Sequence, residues 1–157
     1  MKEIKLTQGY SSMVDDDLFD YLNQWKWQVV KDSHTNYAVR NEGKFPFRKR
    51  IKMHREIMKP SPNMQVDHVD GNGLNNVREN LRVCTQSQNK KNARKRKDST
   101  SGFKGVTYYK RYGNWRSQIA VNGKRINLGY FSDPIDAAHA YDNAAREYHG
   151  EFANTNF

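Results

Sequence analysis

The stretch Val66–Asn89, VDHVDGNGLNNVRENLRVCTQSQN, decides how this chain is read. Val66-Asp67-His68-Val69 alternates like a short strand. Asp70-Gly71-Asn72-Gly73 is a turn-former, because Gly and Asn tolerate the backbone conformations that turns need. Leu81-Arg82-Val83 reads as a second strand. Thr85-Gln86-Ser87-Gln88 fits a capping box, with Thr85 at the N-cap and Gln88 reaching back, and the first turn of the helix it starts carries Asn89. A helix laid across this hairpin would turn Asp67 and Asn89 toward one point. Carboxylate and carboxamide oxygens suit hard cations such as Mg²⁺ or Mn²⁺. His68 leaves the strand on the side opposite Asp67, and a neutral imidazole is a suitable general base near pH 7. On the residues alone a plainer reading stands beside this one, since Asp-His pairs are common and Asn-Gly runs usually just make turns.

The rest of the chain limits what such a site would act on. The 157 residues carry 27 Lys and Arg against 17 Asp and Glu, a formal charge of +10. That balance points to a polyanion, nucleic acid before an anionic membrane surface. Apolar residues make up 36%, which favours small modules with aromatic-rich cores over one large core. No apolar run approaches the roughly 18 residues of a membrane span, and MKEIKLTQGY lacks the apolar region of a signal peptide. The expectation is a soluble, intracellular protein. Cys84 is the single cysteine, so a disulfide framework is excluded, and beside Leu81 and Val83 it reads as a buried thiol. No heptad or apolar interface face is visible, which makes a monomer the default.

Four segments separate by composition. Residues 1–50 mix alternating runs (Glu3-Ile4-Lys5-Leu6, Asn36–Arg40) with VDDDLFDYLNQWKW, where Leu18, Phe19, Leu22 and Trp25 fall at helical spacing. This predicts a strand-helix-strand unit, with Asp15-Asp16-Asp17 as a helix start rather than a metal site. Residues 51–92 hold the opening stretch. Residues 93–100 form a basic tether within KKNARKRKDST, where six of eleven residues are Lys or Arg. Lys90, Lys91 and Arg94 are candidate phosphate contacts there.

Residues 101–157 predict a three-stranded antiparallel sheet packed on one helix. GFKGVTYY, NWRSQIAV and KRINLGYF are strand-like, and Asn122-Gly123 is a type I′ hairpin signal. Asp133-Pro134 starts an Ala-rich helix, and Gly150 ends it. Its inward face would be Ala137, Ala138, Tyr141, Ala144, Ala145 and Tyr148. Trp115, Ile119, Val121, Ile126 and Leu128 should meet that helix, and Arg116, Gln118, Arg125 and Asn127 should face out. Tyr108 reads as core and Tyr109 as a contact residue. The fold class is therefore α+β, built from small modules.

Residues 51–92 resemble an HNH endonuclease module of the phage and intron homing type. The resemblance rests on Asp67-His68, the Gly71-Asn72-Gly73-Leu74-Asn75-Asn76 turn, Asn80-Leu81-Arg82 and Asn89. It implies a ββα-metal fold in which Asp67 and Asn89 bind Mg²⁺ or Mn²⁺ and His68 is the general base. Asn80 would tie the hairpin loop and help orient His68. The final family position is often His and is Asn here, as in the homing-type branch. His54, in Met53-His54-Arg55-Glu56, reads as a structural histidine, with a DNA-phosphate contact as the alternative. Residues 101–157 resemble the plant Apetala/ethylene-response-factor DNA-binding domain through Gly105-Val106, Gly113-Asn114-Trp115, Leu128-Gly129-Tyr130-Phe131, Ala140-Tyr141-Asp142, His149-Gly150 and Asn156-Phe157. That resemblance implies contact with double-stranded DNA from Lys104, Thr107, Tyr109, Arg116, Gln118, Arg125 and Asn127, and packing roles for Asp142 and His149. The combined expectation is a metal-dependent DNA endonuclease whose C-terminal domain biases its site. A non-catalytic DNA-binding regulator and an RNA-binding protein are the rivals.

Overall fold

In the computed structural model, which describes residues 1–32, 35–92 and 99–157, strands β1 (Lys2–Lys5) and β2 (Ser11–Val14) pair antiparallel. Alternation turns Ile4, Ser12 and Val14 inward. Helix α1 (Asp16–Asn23) follows, with Asp16 and Asp17 in its first turn, where the helix dipole favours carboxylates. Strands β3 (Gln28–Lys31), β4 (Asn36–Glu42) and β5 (Lys49–Lys52) form an antiparallel sheet in that order. Helix α2 (Met53–Met58) leads to the hairpin of β6 (Gln65–His68) and β7 (Leu81–Cys84).

The core of this region joins Ile4, Leu6, Val14, Leu22, Trp27, Val29, Ala38 and Met53. The Trp27 indole donates to Leu22 O at 2.7 Å, so its one polar atom is satisfied inside. The N-terminal 50 residues hold more strand than the expected strand-helix-strand. Lys49–Lys52 shows no apolar alternation and is strand because it pairs with β4, Arg40 opposite Ile51. It runs across residue 50, and Met53, just beyond it, completes the core.

Two compact units result, Met1–Gln86 and Ser87–Phe157. Helix α3 (Gln86–Lys91) starts directly after Thr85, where the capping residues place it. In the second unit β8 (Val106–Tyr109), β9 (Asn114–Val121) and β10 (Lys124–Phe131) form an antiparallel sheet with β9 central. Asn122 and Gly123 have φ of 50° and 78°, the two positive values a type I′ turn demands. Helix α4 (Pro134–His149) starts at Asp133, whose Oδ1 accepts from Ile135 N at 2.6 Å. Ile119 packs on Tyr141, Ala144 and Ala145, and Val106 packs on Ala137 and Ala138. At Gly105, φ is +77° and an added Cβ would collide with the Tyr141 ring, so only glycine lets the chain enter β8 here.

Two core assignments change. Tyr148 is exposed, and His149 takes the inward position with Nε2 3.1 Å from Ala120 O, because a 3.6-residue period carries the stripe to 149 after Tyr141 and Ala145. Tyr108 is also exposed: β8 is a short edge strand, and the ring lies against Trp115 with nothing covering its outer side. Asp142 is buried and its carboxylate accepts from Asn156 N and Phe157 N, which fixes the C-terminal tail. Cys84 is buried and burial pushes its thiol up in pKa, as an inert core residue requires.

Candidate active site

The β6–β7 hairpin places Asp67 opposite Arg82 and His68 opposite Leu81. Asp67 and His68 are both buried, at 7% and 5% exposure. Asp67 Oδ2 accepts from Arg82 Nε at 2.9 Å and Nη2 at 2.7 Å, a two-pronged ion pair across the strands.

His68 is held by a buried carboxamide. Its Nε2 lies 3.1 Å from Asn76 Oδ1. Asn76 is fully buried, and its Nδ2 donates to Ser12 Oγ at 2.8 Å. Ser12 Oγ in turn donates to Leu74 O at 2.9 Å. This order fixes the tautomer. With the serine proton directed to Leu74 O or Met53 Sδ, Ser12 Oγ accepts from Asn76, Asn76 offers its oxygen to His68, and the imidazole proton sits on Nε2. The basic lone pair is therefore on Nδ1. Burial pushes the His68 pKa down, partly offset by the Asn76 bond, so the ring is neutral and able to take a proton at pH 7.

The His54 ring stands edge-on to His68 with centroids 4.9 Å apart, and Tyr37 lies 5.9 Å from His68. Burial, then the charges of His68, Lys52 and Arg55, lower the His54 pKa to about 3. His54 is thus a buried, neutral ring packed against His68.

The loop between the strands is held from within. Asp70 Oδ1 accepts from Asn72 N at 2.7 Å and Asn80 Nδ2 at 2.9 Å, and Asp70 Oδ2 accepts from Asn75 Nδ2 at 2.8 Å. Asn80 Oδ1 accepts from Asp70 N at 3.0 Å. Partial burial raises the Asp70 pKa, but these hydrogen bonds outweigh it and hold the carboxyl below its usual range. Gly73 lets the loop close on β4, since an added Cβ would strike Asn36 O and the Tyr37 ring. Asn80 thus ties the loop through Asp70, while Asn76 is hydrogen-bonded to His68. Within the opening stretch Asn76 looked like one more turn residue. Ser12, 64 positions away, gave no signal at all. Arg82 was discoverable, as a cation directly across the hairpin from Asp67.

Among the described residues no three His, Cys, Asp or Glu side chains gather as a metal cage. The donors of the β6 strand still fit a hard, largely hydrated cation, which needs only one or two carboxylates alongside phosphate oxygens. Asp67 is such a carboxylate. Asn89 lies half-buried on α3, among the first residues of the second unit.

On the second unit, Thr107 pairs with Arg116, Tyr109 with Asn114, Gln118 with Asn127, Ala120 with Arg125 and Arg116 with Tyr130 across the sheet. These residues alternate with the helix-facing set, so the sheet's outer face gathers Thr107, Tyr109, Arg116, Gln118, Arg125 and Asn127. The Arg116 guanidinium lies 5.7 Å from the Tyr109 ring centroid, and its buried Nε has no hydrogen-bond partner among the described residues. Lys104 leaves that face. Its ammonium donates to Lys91 O at 3.0 Å and Asn154 O at 3.2 Å near the Tyr141 ring, and burial lowers its pKa to about 8. Lys90 is exposed and Lys91 half-buried. Arg94, with residues 93–98 of the basic tether, lies outside the described residues. Among the described residues no helix is long and apolar enough to cross a membrane.

Comparison with known proteins adds to this geometry. A family model described as HNH endonuclease matches residues 59–91, and one described as AP2 domain matches residues 101–151. A protein of Acanthamoeba polyphaga mimivirus named as an uncharacterized HNH endonuclease is 30% identical over 156 residues, 95% of this chain and 76% of its own length. Protein 3.8 of Escherichia phage T7 is 35% identical over 88 residues, 56% of this chain and 72% of that protein. An AP2-like ethylene-responsive transcription factor of Arabidopsis thaliana is 43% identical over 68 residues, 43% of this chain but only 14% of that protein.

Proposed function

This chain belongs to the HNH endonuclease family and carries an AP2 domain toward its C-terminal end, and we propose that it is a metal-dependent, homing-type endonuclease of double-stranded DNA. The observation that carries the reading is the buried His68, held by Asn76 through Nε2, next to the buried Asp67 carboxylate on the same strand.

In the proposed reaction His68 takes a proton from water at Nδ1 while the water oxygen forms a bond to phosphorus. The bond from phosphorus to the leaving sugar oxygen breaks, and solvent protonates that oxygen. A bound Mg²⁺ or Mn²⁺ supplies charge stabilisation for the phosphate and the leaving oxygen. Asp67 and Asn89 would hold that ion, and Arg82 sets the orientation of the Asp67 carboxylate. Asn80 keeps the loop closed through Asp70. Lys90, Lys91 and Arg94 would meet phosphates. Thr107, Tyr109, Arg116, Gln118, Arg125 and Asn127 would read DNA from the outer sheet face, biasing the cut by raising the local concentration of target. Of the AP2-type contacts, Lys104 is the one withdrawn from this proposal. The working form is a monomer in the cytoplasm of a bacterial or phage-infected cell.

One observation favours a second reading. The Asp67 carboxylate already has a cation, Arg82, at 2.7 Å, as a purely structural pair would. On that view the hairpin only shapes a DNA-binding regulator. Cleavage of supercoiled plasmid with Mg²⁺ or Mn²⁺ decides between them. The nuclease reading expects nicked or linear product from wild type, and none from His68→Ala or with EDTA. Binding without cleavage, on plasmid and on DNA of the source genome, selects the regulator.

A further inference from the structure

The loop joining β4 to β5 projects an unused apolar feature. Residues 41–50 are all exposed, and Phe45 and Phe47 are 84% and 87% exposed. Single exposed apolar side chains need no explanation, but two phenylalanines at the tip of one hairpin form a protruding pair. Lys44, Arg48, Lys49 and Arg50 flank them in the chain, all exposed. Glu42 is the one acid between residues 42 and 52, and Arg40 already holds it at 2.9 Å. Among the described residues, Lys44, Arg48, Lys49 and Arg50 have no carboxylate partner. The tip therefore couples two bare rings to an unneutralised cationic collar.

A DNA duplex fits both parts. Phosphates take the cations, and a base step takes an apolar side chain that partly unstacks it. The hairpin also sits where such a contact would matter. Strand β5 runs straight into α2, whose His54 ring touches His68, and β4 carries Tyr37 of the same pocket. At about 3.3 Å per strand residue, the five steps from Lys52 to Phe47 keep the tip within about 17 Å of Lys52, the residue that leads into α2.

We propose that the 43–48 loop is a DNA wedge, in which Phe45 and Phe47 press into a base step while the basic collar grips the flanking phosphates. The choice of DNA as the ligand rests on the nuclease reading. With the wedge engaged, the first unit holds its own stretch of duplex in register with His68, independently of the AP2 domain.

The test uses the full chain in EDTA, so that binding is read without cleavage, on duplexes carrying 2-aminopurine at several steps. Wild type should raise the 2-aminopurine fluorescence on binding. Phe45→Ala/Phe47→Ala should bind about tenfold more weakly and lose that rise, with an unchanged salt slope because the phosphate contacts remain. Phe45→Leu/Phe47→Leu, which keeps an apolar wedge, should recover most of both. The proposal is overturned if the alanine variant binds within twofold of wild type with the same fluorescence rise. It is also overturned if the alanine variant loses only sedimentation with phosphatidylserine vesicles, which would make the loop a membrane contact. Wild type that unstacks DNA but never cuts it with Mg²⁺ or Mn²⁺ would remove the nuclease reading and leave the wedge. Wild type that cuts while the alanine variant binds equally well would do the reverse.

Discussion

His68 Nε2 sits 3.1 Å from Asn76 Oδ1, a carboxamide oxygen that can only accept, so this contact asks for the imidazole proton on Nε2. Asn76 is itself fixed by Ser12, so the ring is aimed by a residue of the N-terminal hairpin. Asn76→Ala removes the acceptor for Nε2. The expected result is a kcat for plasmid cleavage lower by about 10–100-fold with KM little changed, since a group that only positions the base contributes to the chemical step. Two buried partners also lose a hydrogen bond, at a stability cost of about 1–3 kcal/mol. Single-turnover cleavage and a denaturant melt measure the two effects separately. Equal kcat in variant and wild type would remove Asn76 from the mechanism.

The Asp67–Arg82 pair gives a metal-dependent prediction. Arg82→Gln leaves a buried carboxylate without its cation, and breaking a buried pair from one side costs about 3–5 kcal/mol. A divalent cation bound at Asp67 would replace part of the lost charge. Millimolar Mg²⁺ or Mn²⁺ should therefore raise the melting temperature of Arg82→Gln by more than that of wild type, and EDTA should abolish the difference. Asp67→Asn should show no metal-linked shift. If Arg82→Gln melts at the same temperature with and without metal, Asp67 is a structural acid only.

What the sequence made legible divides along physical lines. The β9–β10 hairpin, the start of α4 and the Ala137–Ala145 stripe could be read because local chemistry dictates them: Asn-Gly for the turn, Asp-Pro for the helix start, small residues for close packing. Asp67 and His68 could be placed on one strand because alternation is local too. Asn76 could not be told from its neighbour Asn75, because only the fold decides that one faces Ser12 and His68 while the other binds Asp70. Strand β5 carries no apolar pattern and exists only through pairing with β4. Lys104 looked like any basic residue beside a strand, and its ammonium lies instead against backbone carbonyls supplied by α3 and the C-terminal tail.

His54 predicts an acid limb in stability. Its folded pKa of about 3 lies well below the ordinary histidine value of 6.5. Between those values the unfolded chain binds a proton that the folded chain does not, so stability falls as pH drops from about 6.5 toward 3. The slope contributed by this one group is at most about 1.4 kcal/mol per pH unit. His54→Phe keeps an aromatic ring against Tyr37 and His68 but cannot titrate. Denaturant midpoints taken from pH 7 to pH 4 should fall less steeply in the variant. Parallel curves would mean that His54 is not held neutral.

The outer sheet face predicts that Arg116 and Lys104, both basic and both in the second unit, behave oppositely. Arg116 holds its guanidinium 5.7 Å from the Tyr109 ring centroid on the outer face. Arg116→Ala should weaken binding to duplex DNA by about 5–100-fold, the loss of one base or phosphate contact of about 1–3 kcal/mol, with the melting temperature nearly unchanged. Lys104 donates to Lys91 O and Asn154 O on the helix side of the sheet. Lys104→Met should lower the stability of the second unit and leave the salt dependence of DNA binding as it was, because no phosphate contact is lost. Titration by fluorescence anisotropy at three salt concentrations, paired with thermal melts, separates the two. If Lys104→Met reduces the salt slope by about one while Arg116→Ala leaves affinity intact, DNA approaches the helix side of this domain and the assignment of the outer face is wrong.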